Sequence, residues 1–368
     1  MKRIAYLCLQ ATREGQASHA HVHEIIKGLR KRGWTVDLYE PMYARSAQAP
    51  GPFWKALEFV RVQLRLWRAR EPDVLYIRLH FASWPSAFLA RLRGVRVVQE
   101  INGPYEDLFI GWPWTRRFAW FFAWLMRSQL RWADVVIAVS PKLAEWCRVE
   151  GTKKVCIITN GANTDMFRPD AELDPALELP RSYVVFFGAL APWQGIDTML
   201  AAAEHPSWPQ EVQLVIAGDG VERSKVQAAA ARSHLIRYLG PQPYSRMPGI
   251  VAKSLAGLSP QNDPLGRSSR TELFPLKLFE TLACGVPVVV TDFPGMADLV
   301  REGGCGLVIP PDDPGALARA VNYLYRHPKE RASMGKKGRI LVEQEHSWDK
   351  RAEATARVLE ELLRKGGQ

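Results

Sequence analysis

Short apolar runs rich in β-branched residues recur along the chain, each separated from the next by room for a helix. RIAYLCL (3–9), TVDLYE (35–40), VLYIRL (74–79), VRVVQEI (95–101), DVVIAVS (134–140) and KVCIITN (154–160) are of this kind. Between the first two, HAHVHEIIKGLRKRG (19–33) reads as a helix that stops in a basic turn at Gly33. Alternation of this type predicts βαβ units on a parallel sheet, with ligands at the C-terminal ends of the strands. The pattern breaks at FRPDAELDPALELP (167–180), where three prolines and four acids predict a linker. It then restarts with YVVFFGAL (183–190), VQLVIAGDG (212–220), RYLG (237–240), AGLSP (256–260), VPVVVTD (286–292) and GLVIPP (306–311). The expectation is an α/β protein of two doubly wound, Rossmann-like domains, 1–168 and 181–346, joined by 169–180. A last helix, 347–368, returns towards the first domain, and a ligand is expected in the crevice between the two.

A chain of 368 residues is long for a single core and agrees with two domains. Its five cysteines form no CxxC pair, so neither a disulfide framework nor a zinc site is indicated, which predicts a cytoplasmic protein. The N-terminus reads as a first strand rather than a secretion signal. The longest aromatic-rich run, FAWFFAWLM (118–126), is nine residues, about half of a membrane span. Charge is unevenly spread: residues 1–134 hold 21 Lys and Arg against 11 Asp and Glu, ten of the eleven net positive charges of the chain.

The segment RSSRTELFPLKLFE (267–280) leads into a predicted helix with its first turn near Phe274 to Lys277. Ser269 or Thr271 is a candidate cap, and Pro275 is acceptable in a first turn. Free amides at such a turn face an anion. Lys277 adds a point charge suited to phosphate, with Arg267 and Arg270 preceding it. Glu280 lies a little over two helical turns beyond Glu272 if the helix extends that far back, where its carboxylate could accept a ribose diol. Taken alone, the two glutamates fit a capping acid and a solvated helix charge as well.

The ordered set ADVVIAVSPKLAEW, IITNGANTDMFRP, GALAPWQGIDTMLAA, LVIAGDG and the E-x7-E spacing followed by ETLACGVPVVVTD resembles the family 4 retaining glycosyltransferases of the GT-B fold. The resemblance spans essentially the whole chain. It implies a nucleotide-sugar donor bound mainly by the C-terminal domain, an acceptor bound mainly by the N-terminal domain, and no metal or other cofactor. By position, Glu280 would hold the ribose and Glu272 the donor hexose, while the amides of Phe274, Leu276 and Lys277 would meet the diphosphate or sugar. Front-face transfer, in which the leaving phosphate takes the acceptor proton, is the mechanism the resemblance implies.

Departures from the family pattern carry weight. Ala189 and Gln194 stand where relatives place an arginine and a lysine towards the diphosphate, so Lys277, Arg270 or Arg267 must handle that charge, with Lys277 favoured. Asn102 stands where many relatives have a histidine near the reaction centre, and an amide hydrogen-bonds a sugar without shuttling a proton. In REGQASHAHVHE (13–24), Gly15 fits a glycine-rich turn beside the donor, but Ala17 replaces a glycine. His21 matches the family's HV position, and Arg78 and Tyr105 are candidate acceptor contacts. His19, His21 and His23 do not read as a metal cluster, because alternate residues of a helix face different sides.

Two alternatives stay open at this level: an inactive homologue that binds nucleotide or glycan as a partner subunit, and a nucleotide-sugar epimerase. FWKALEFVRVQLRLWR (53–68) puts Phe53, Leu57, Val60, Leu64 and Trp67 on one helical stripe and Lys55, Arg61, Arg65 and Arg68 on another. RRFAWFFAWLMRSQLRW (116–132) is also basic and tryptophan-rich. These helices predict peripheral contact with an anionic membrane surface and a lipid-linked or phosphate-bearing acceptor. No nucleic acid is expected as a partner.

Overall fold

The computed structural model describes residues 2–12, 17–45, 50–111, 113–263 and 272–364. The chain divides into two compact units. One comprises Met1–Arg13, Ser18–Thr159 and Arg351–Gln368, the other Asn160–Lys350 with Glu14–Ala17.

The first unit is built on six parallel strands: β1 (Arg3–Cys8), β2 (Thr35–Tyr39), β3 (Val74–Arg78), β4 (Arg96–Ile101), β5 (Val135–Ala138) and β6 (Val155–Ile157), in the order β2-β1-β3-β4-β5-β6. Chain progression reverses between β1 and β3, the position at which open α/β sheets bind ligands. Right-handed crossovers then decide which helices share a face. Helix Ala17–Lys31 connects β1 leftwards to β2 and lies on one side. Helices Pro52–Arg68, Trp84–Arg93 and Ala119–Trp132 all run rightwards and form one layer on the other. That layer closes a core in which Val62, Leu66, Ala87 and Ala90 pack with Leu7, Leu75, Ile77 and Val97. The final helix, Trp348–Arg364, packs so closely on Ala17–Lys31 that a Cβ at Gly28 would lie 2.2 Å from that of Ala352. Arg351 donates to Thr159 Oγ1 at 3.0 Å, and Lys154 pairs with Glu361 at 3.1 Å.

The second unit repeats the architecture with β7 (Tyr183–Phe187), β8 (Gln213–Ala217), β9 (Ile236–Gly240), β10 (Gly257–Ser259), β11 (Val288–Thr291) and β12 (Gly306–Ile309), ordered β12-β11-β10-β7-β8-β9. Its reversal falls between β7 and β10. Apolar cores fill both faces, one around Trp208, Ile216 and Leu324, the other around Phe167, Tyr183 and Phe279. Each apolar run of the sequence coincides with a strand, but most run past the strand's end, because the last residues turn into loops and caps. In DVVIAVS the strand stops at Ala138, and Ser140 caps the next helix by accepting from Leu143 N at 3.2 Å.

The stretch 167–180 differs from the expected linker. The units divide at Thr159 and Asn160, and Leu173, Leu177 and Leu179 pack against the core around Phe279. Interleaved prolines and acids conceal those leucines in the sequence. The backbone of Glu172 leaves no room for a Cβ at Gly249, whose nearest atom would be 2.1 Å away.

The turns after β7 and β8 touch through backbone alone. A Cβ at Gly218 would lie 1.8 Å from the carbonyl oxygen of Gly188. Gly218→Ala is therefore expected to destabilise the protein by about 2 to 4 kcal/mol, through displacement of one turn from the other. Urea denaturation followed by fluorescence checks this, and a midpoint unchanged from wild type contradicts the close approach.

Candidate functional site

In the second unit the residues of interest gather where β7 ends. Helix Leu276–Ala283 starts after an extended Pro275, whose carbonyl accepts from Leu278 N at 3.1 Å, and it closes at Gly285 with a left-handed φ of 69°. Leu278, Phe279 and Leu282 bury one side of it. Phe274 and Pro275 thus precede the helix instead of forming its first turn, and of the expected anion-facing amides only those of Leu276 and Lys277 belong to it. Glu272 is not a helical residue. Its φ is 55°, a left-handed conformation that a glutamate adopts only under constraint, and the constraint is visible: Leu273 bridges Gly295, Leu273 N donates to Pro294 O at 3.0 Å, and Asn160 Nδ2 donates to Phe274 O at 2.9 Å. The two-turn separation of Glu272 and Glu280 anticipated from their spacing does not apply. Gly15, Arg267, Arg270, Ser269 and Thr271 lie outside the described residues, as does the side chain of Ala17.

Lys277 folds onto the sheet. Its ammonium stands 3.8 Å from the centroid of Phe186 and 2.7 Å from Gln194 Oε1. It passes beside Gly188, where an added Cβ would stand in ordinary contact with Nζ at 3.6 Å. One helical turn on, Glu280 is 4% exposed and accepts a hydrogen bond from the Tyr244 hydroxyl at 2.5 Å. Burial lowers the Lys277 ammonium to about 7, with Glu280 pulling the other way. Burial likewise raises the Glu280 carboxyl to about 7, against the Tyr244 hydrogen bond and Lys277. Two opposite groups are therefore held at the edge of ionisation at the C-terminal end of a sheet's central strand. Ala189, expected as a departure, is exposed beside them.

The first unit assembles a second cluster at its own reversal point, around Glu100, a residue the sequence reading did not single out. Glu100 Oε2 accepts from Tyr6 (3.1 Å) and Tyr76 (2.8 Å) and pairs with His21 Nε2 at 3.1 Å. Oε1 accepts from Arg78 Nη1 (2.6 Å) and Asn102 Nδ2 (2.9 Å). Burial alone would raise the Glu100 carboxyl, but His21, Arg78 and Asn102 together hold it well below the usual carboxylate range. The same burial pushes Tyr6 and Tyr76 upwards and the neighbouring Cys8 thiol to about 12. Three expected site residues, His21, Arg78 and Asn102, thus converge on one carboxylate. The signal for it was available: Glu100 is a charged residue inside an apolar strand, where only a paired charge is tolerated.

Tyr105 does not join them. It is buried against Trp146, and its hydroxyl lies between Arg127 Nη2 (2.8 Å) and Glu150 (3.2 Å). The His19 and His23 rings, one turn apart, meet at a tilt with centroids 4.0 Å apart, while His21 points to Glu100. Among the described residues no group of three His, Cys, Asp or Glu is placed to hold a metal. Phe186 and Tyr244, which enclose the Lys277 and Glu280 pair, left no mark in the sequence beyond apolar and turn positions.

Known proteins carry the same organisation. The chain matches the profile for glycosyltransferase family 4 over residues 18–166 and that for glycosyl transferases group 1 over 171–341. A GDP-mannose-dependent alpha-mannosyltransferase of Mycobacterium tuberculosis is 28% identical over 277 residues, 72% of this chain and 68% of that protein. A D-inositol 3-phosphate glycosyltransferase of Corynebacterium urealyticum is 30% identical over 57% of this chain and 51% of its own length. The matched stretch thus spans between half and about two thirds of these two relatives. Among solved structures, a sucrose-phosphate synthase from Thermosynechococcus elongatus superposes with a TM-score of 0.79 at 20% identity, covering 99% of this chain and 100% of that one. The Anabaena protein HepE, solved in complex with UDP, superposes with a TM-score of 0.72 at 17% identity, covering 98% and 100%. With each unit matched by its own profile and the whole chain superposing on these structures, the protein belongs to the family 4 glycosyltransferases of the GT-B fold.

Proposed function

We propose that this protein is a retaining hexosyltransferase that takes its sugar from a nucleotide-sugar donor bound by the second unit and works without a metal. The observation that carries the reading is the half-buried Lys277 one helical turn from the buried Glu280, at the reversal point of the second sheet. Glu280 is assigned to the ribose, Lys277 to the diphosphate and Glu272 to the hexose. HepE, superposing across the chain, is a UDP-binding protein, and the mycobacterial relative is named for GDP-mannose. The donor reading draws support from both.

The chemistry asks most of Lys277. Negative charge grows on the leaving diphosphate as the glycosidic bond breaks, and a cation that meets it there stabilises the transition state more than the ground state. The substitution at Gln194 then has a physical account. The two side chains meet at 2.7 Å, so a lysine at 194 and a lysine at 277 reach the same point in space, and the cation that relatives place at one position is supplied here from the other. The leaving phosphate takes the acceptor proton, which requires positioning rather than an enzymic base. Asn102, whose Nδ2 is committed to Glu100, keeps Oδ1 for a sugar hydroxyl, while Arg78 and His21 frame it. The acceptor is lipid-linked or phosphate-bearing, in keeping with the basic first unit.

Transfer assayed with the donor giving the largest thermal shift tests the assignment of Lys277. A charge-assisted hydrogen bond contributes about 1.5 to 3 kcal/mol, so Lys277→Ala should lower kcat/KM by about ten- to a hundred-and-fiftyfold. Gln194→Lys in that background should restore part of the rate. A Lys277→Ala enzyme within twofold of wild type contradicts the role.

Affinity for a nucleotide sugar should also follow a bell in pH. The binding form has Lys277 charged and Glu280 ionised. Below about 7 Glu280 holds a proton it must release, and above about 7 Lys277 must gain one. Titration calorimetry from pH 5.5 to 8.5 should show affinity falling on both sides of neutrality, by up to about tenfold per pH unit. Glu280→Gln should flatten the acid limb and Lys277→Met the alkaline one. A pH-independent affinity in the wild type excludes the titrating pair from the site.

A further inference from the structure

The outer face of the three-helix layer in the first unit is a surface without a partner. On helices Trp84–Arg93 and Ala119–Trp132 and the turn Pro113–Phe118, rings meet in an unbroken chain: Phe88 on Trp84 (5.2 Å), Trp84 on Trp124 (5.5 Å), Trp124 on Phe121 (6.3 Å) and Phe121 on Trp120 (5.8 Å). Trp84 is fixed through its indole N–H to Ser128 Oγ at 2.8 Å. Despite these contacts the ridge is open to solvent, with Trp120 74%, Leu92 67% and Trp114 62% exposed. Monomers seldom leave so many large apolar groups side by side in water.

Charge around the ridge is of one sign. Between Asp73 and Glu100, and again between Asp107 and Asp134, the chain contains no acidic residue. Arg91, Arg93, Arg116 and Arg117 flank the aromatic groups, and no ion pair among the described residues engages them. Arg93 lies over the Trp67 ring at 4.9 Å, which links the ridge to helix Pro52–Arg68 and its exposed Phe53 and Leu64. The stripe expected on that helix does not face the core: Val62 and Leu66, which lie outside it, are buried, whereas its Phe53, Val60 and Leu64 are exposed and its Leu57 and Trp67 half-buried, with Arg68 and the Glu58-paired Arg61 (3.2 Å) outside as well.

We infer that this helix layer docks on an anionic lipid bilayer, the tryptophans and Leu92 entering the headgroup boundary and the arginines meeting lipid phosphates. On the ridge, exposed tryptophan beside Arg91, Arg116 and Arg117 matches the interfacial zone of a membrane in both polarity and sign. Nucleic acid would match the charge but leave Leu92 and Phe88 in water. Docking would bring the first unit to lipid-linked acceptors, and to that extent it rests on the proposed transferase reading. The docking itself needs neither donor nor acceptor.

Sedimentation of the full chain with vesicles of phosphatidylcholine, with and without phosphatidylglycerol, tests it. The wild type should bind only the anionic vesicles and be released by high salt. Arg116→Gln with Arg117→Gln should weaken partition by about fivefold for each cation removed. Trp120→Ser with Trp124→Ser should weaken it by about tenfold or more. These surface variants should keep the melting temperature and nucleotide-sugar affinity of the wild type, which separates docking from folding and from the donor site. A protein that binds nucleotide sugar but ignores anionic vesicles at low salt overturns the docking alone. One that binds vesicles but no nucleotide sugar upholds docking and removes the transferase reading. A ridge that instead joins two copies, seen as a dimer in light scattering that Trp120→Ser with Trp124→Ser dissociates while vesicles are ignored, also overturns it.

Discussion

Placing a half-buried lysine one helical turn from a buried glutamate at the end of a hydrophobic strand is costly, because neither ion fully recovers its hydration. Everything around Lys277 and Glu280 accommodates that cost without removing it. Phe186 offers the ammonium a ring face, Gln194 a single oxygen, and Tyr244 gives the carboxylate one hydroxyl. Both groups consequently sit near their point of neutralisation. A ligand bearing a diphosphate and a ribose diol would supply what they lack.

The Glu100 cluster shows what a completed arrangement looks like in the same protein. Five donors surround that carboxylate, from two tyrosines, a histidine, an arginine and an amide, and its affinity for a proton falls accordingly. Such a network is rigid, and it orients Asn102 and Arg78 at the switch point of the first sheet. One sheet end is thus preorganised by its own side chains. The other is left under-satisfied, and under-satisfied buried charge is the usual mark of a binding position.

Much of this was legible in the sequence, for reasons of periodicity. The strands of the described residues fall on these runs, since a parallel sheet covered on both faces needs apolar strands. Lys277 is marked by the helix-start pattern, whereas Glu280, His21 and Asn102 stand out through the family resemblance, by the E-x7-E spacing, the HV position and the place of a histidine. The rest was concealed by tertiary constraint. Glu272 stands before the helix start, as its place ahead of Phe274 implies, but its left-handed φ, held by the anchoring of Leu273 to Pro294 and of Phe274 to Asn160, leaves no mark in the sequence. The leucines of 167–180 looked like linker because prolines and acids surround them. Tyr105 looked like a site residue from its place after Asn102, yet an Arg127 and Glu150 pair takes its hydroxyl. Glu100 is visible as a charge inside an apolar strand, but its partners come from four separate segments, which no local pattern displays.

The central claim is that Lys277 is a half-buried amine, lowered to about 7 and so close to half-ionised at neutral pH, that a donor diphosphate recharges. The 13C resonance of its ε-methylene, assigned by comparison with Lys277→Arg, reports this directly. In the free protein it should titrate near 7. When a nucleotide sugar saturates the site, the titration should move up by about two pH units or more, as a nearby dianion stabilises the ammonium. A resonance that titrates near 10 in the free protein, or that keeps its midpoint when the ligand is bound, would contradict the account.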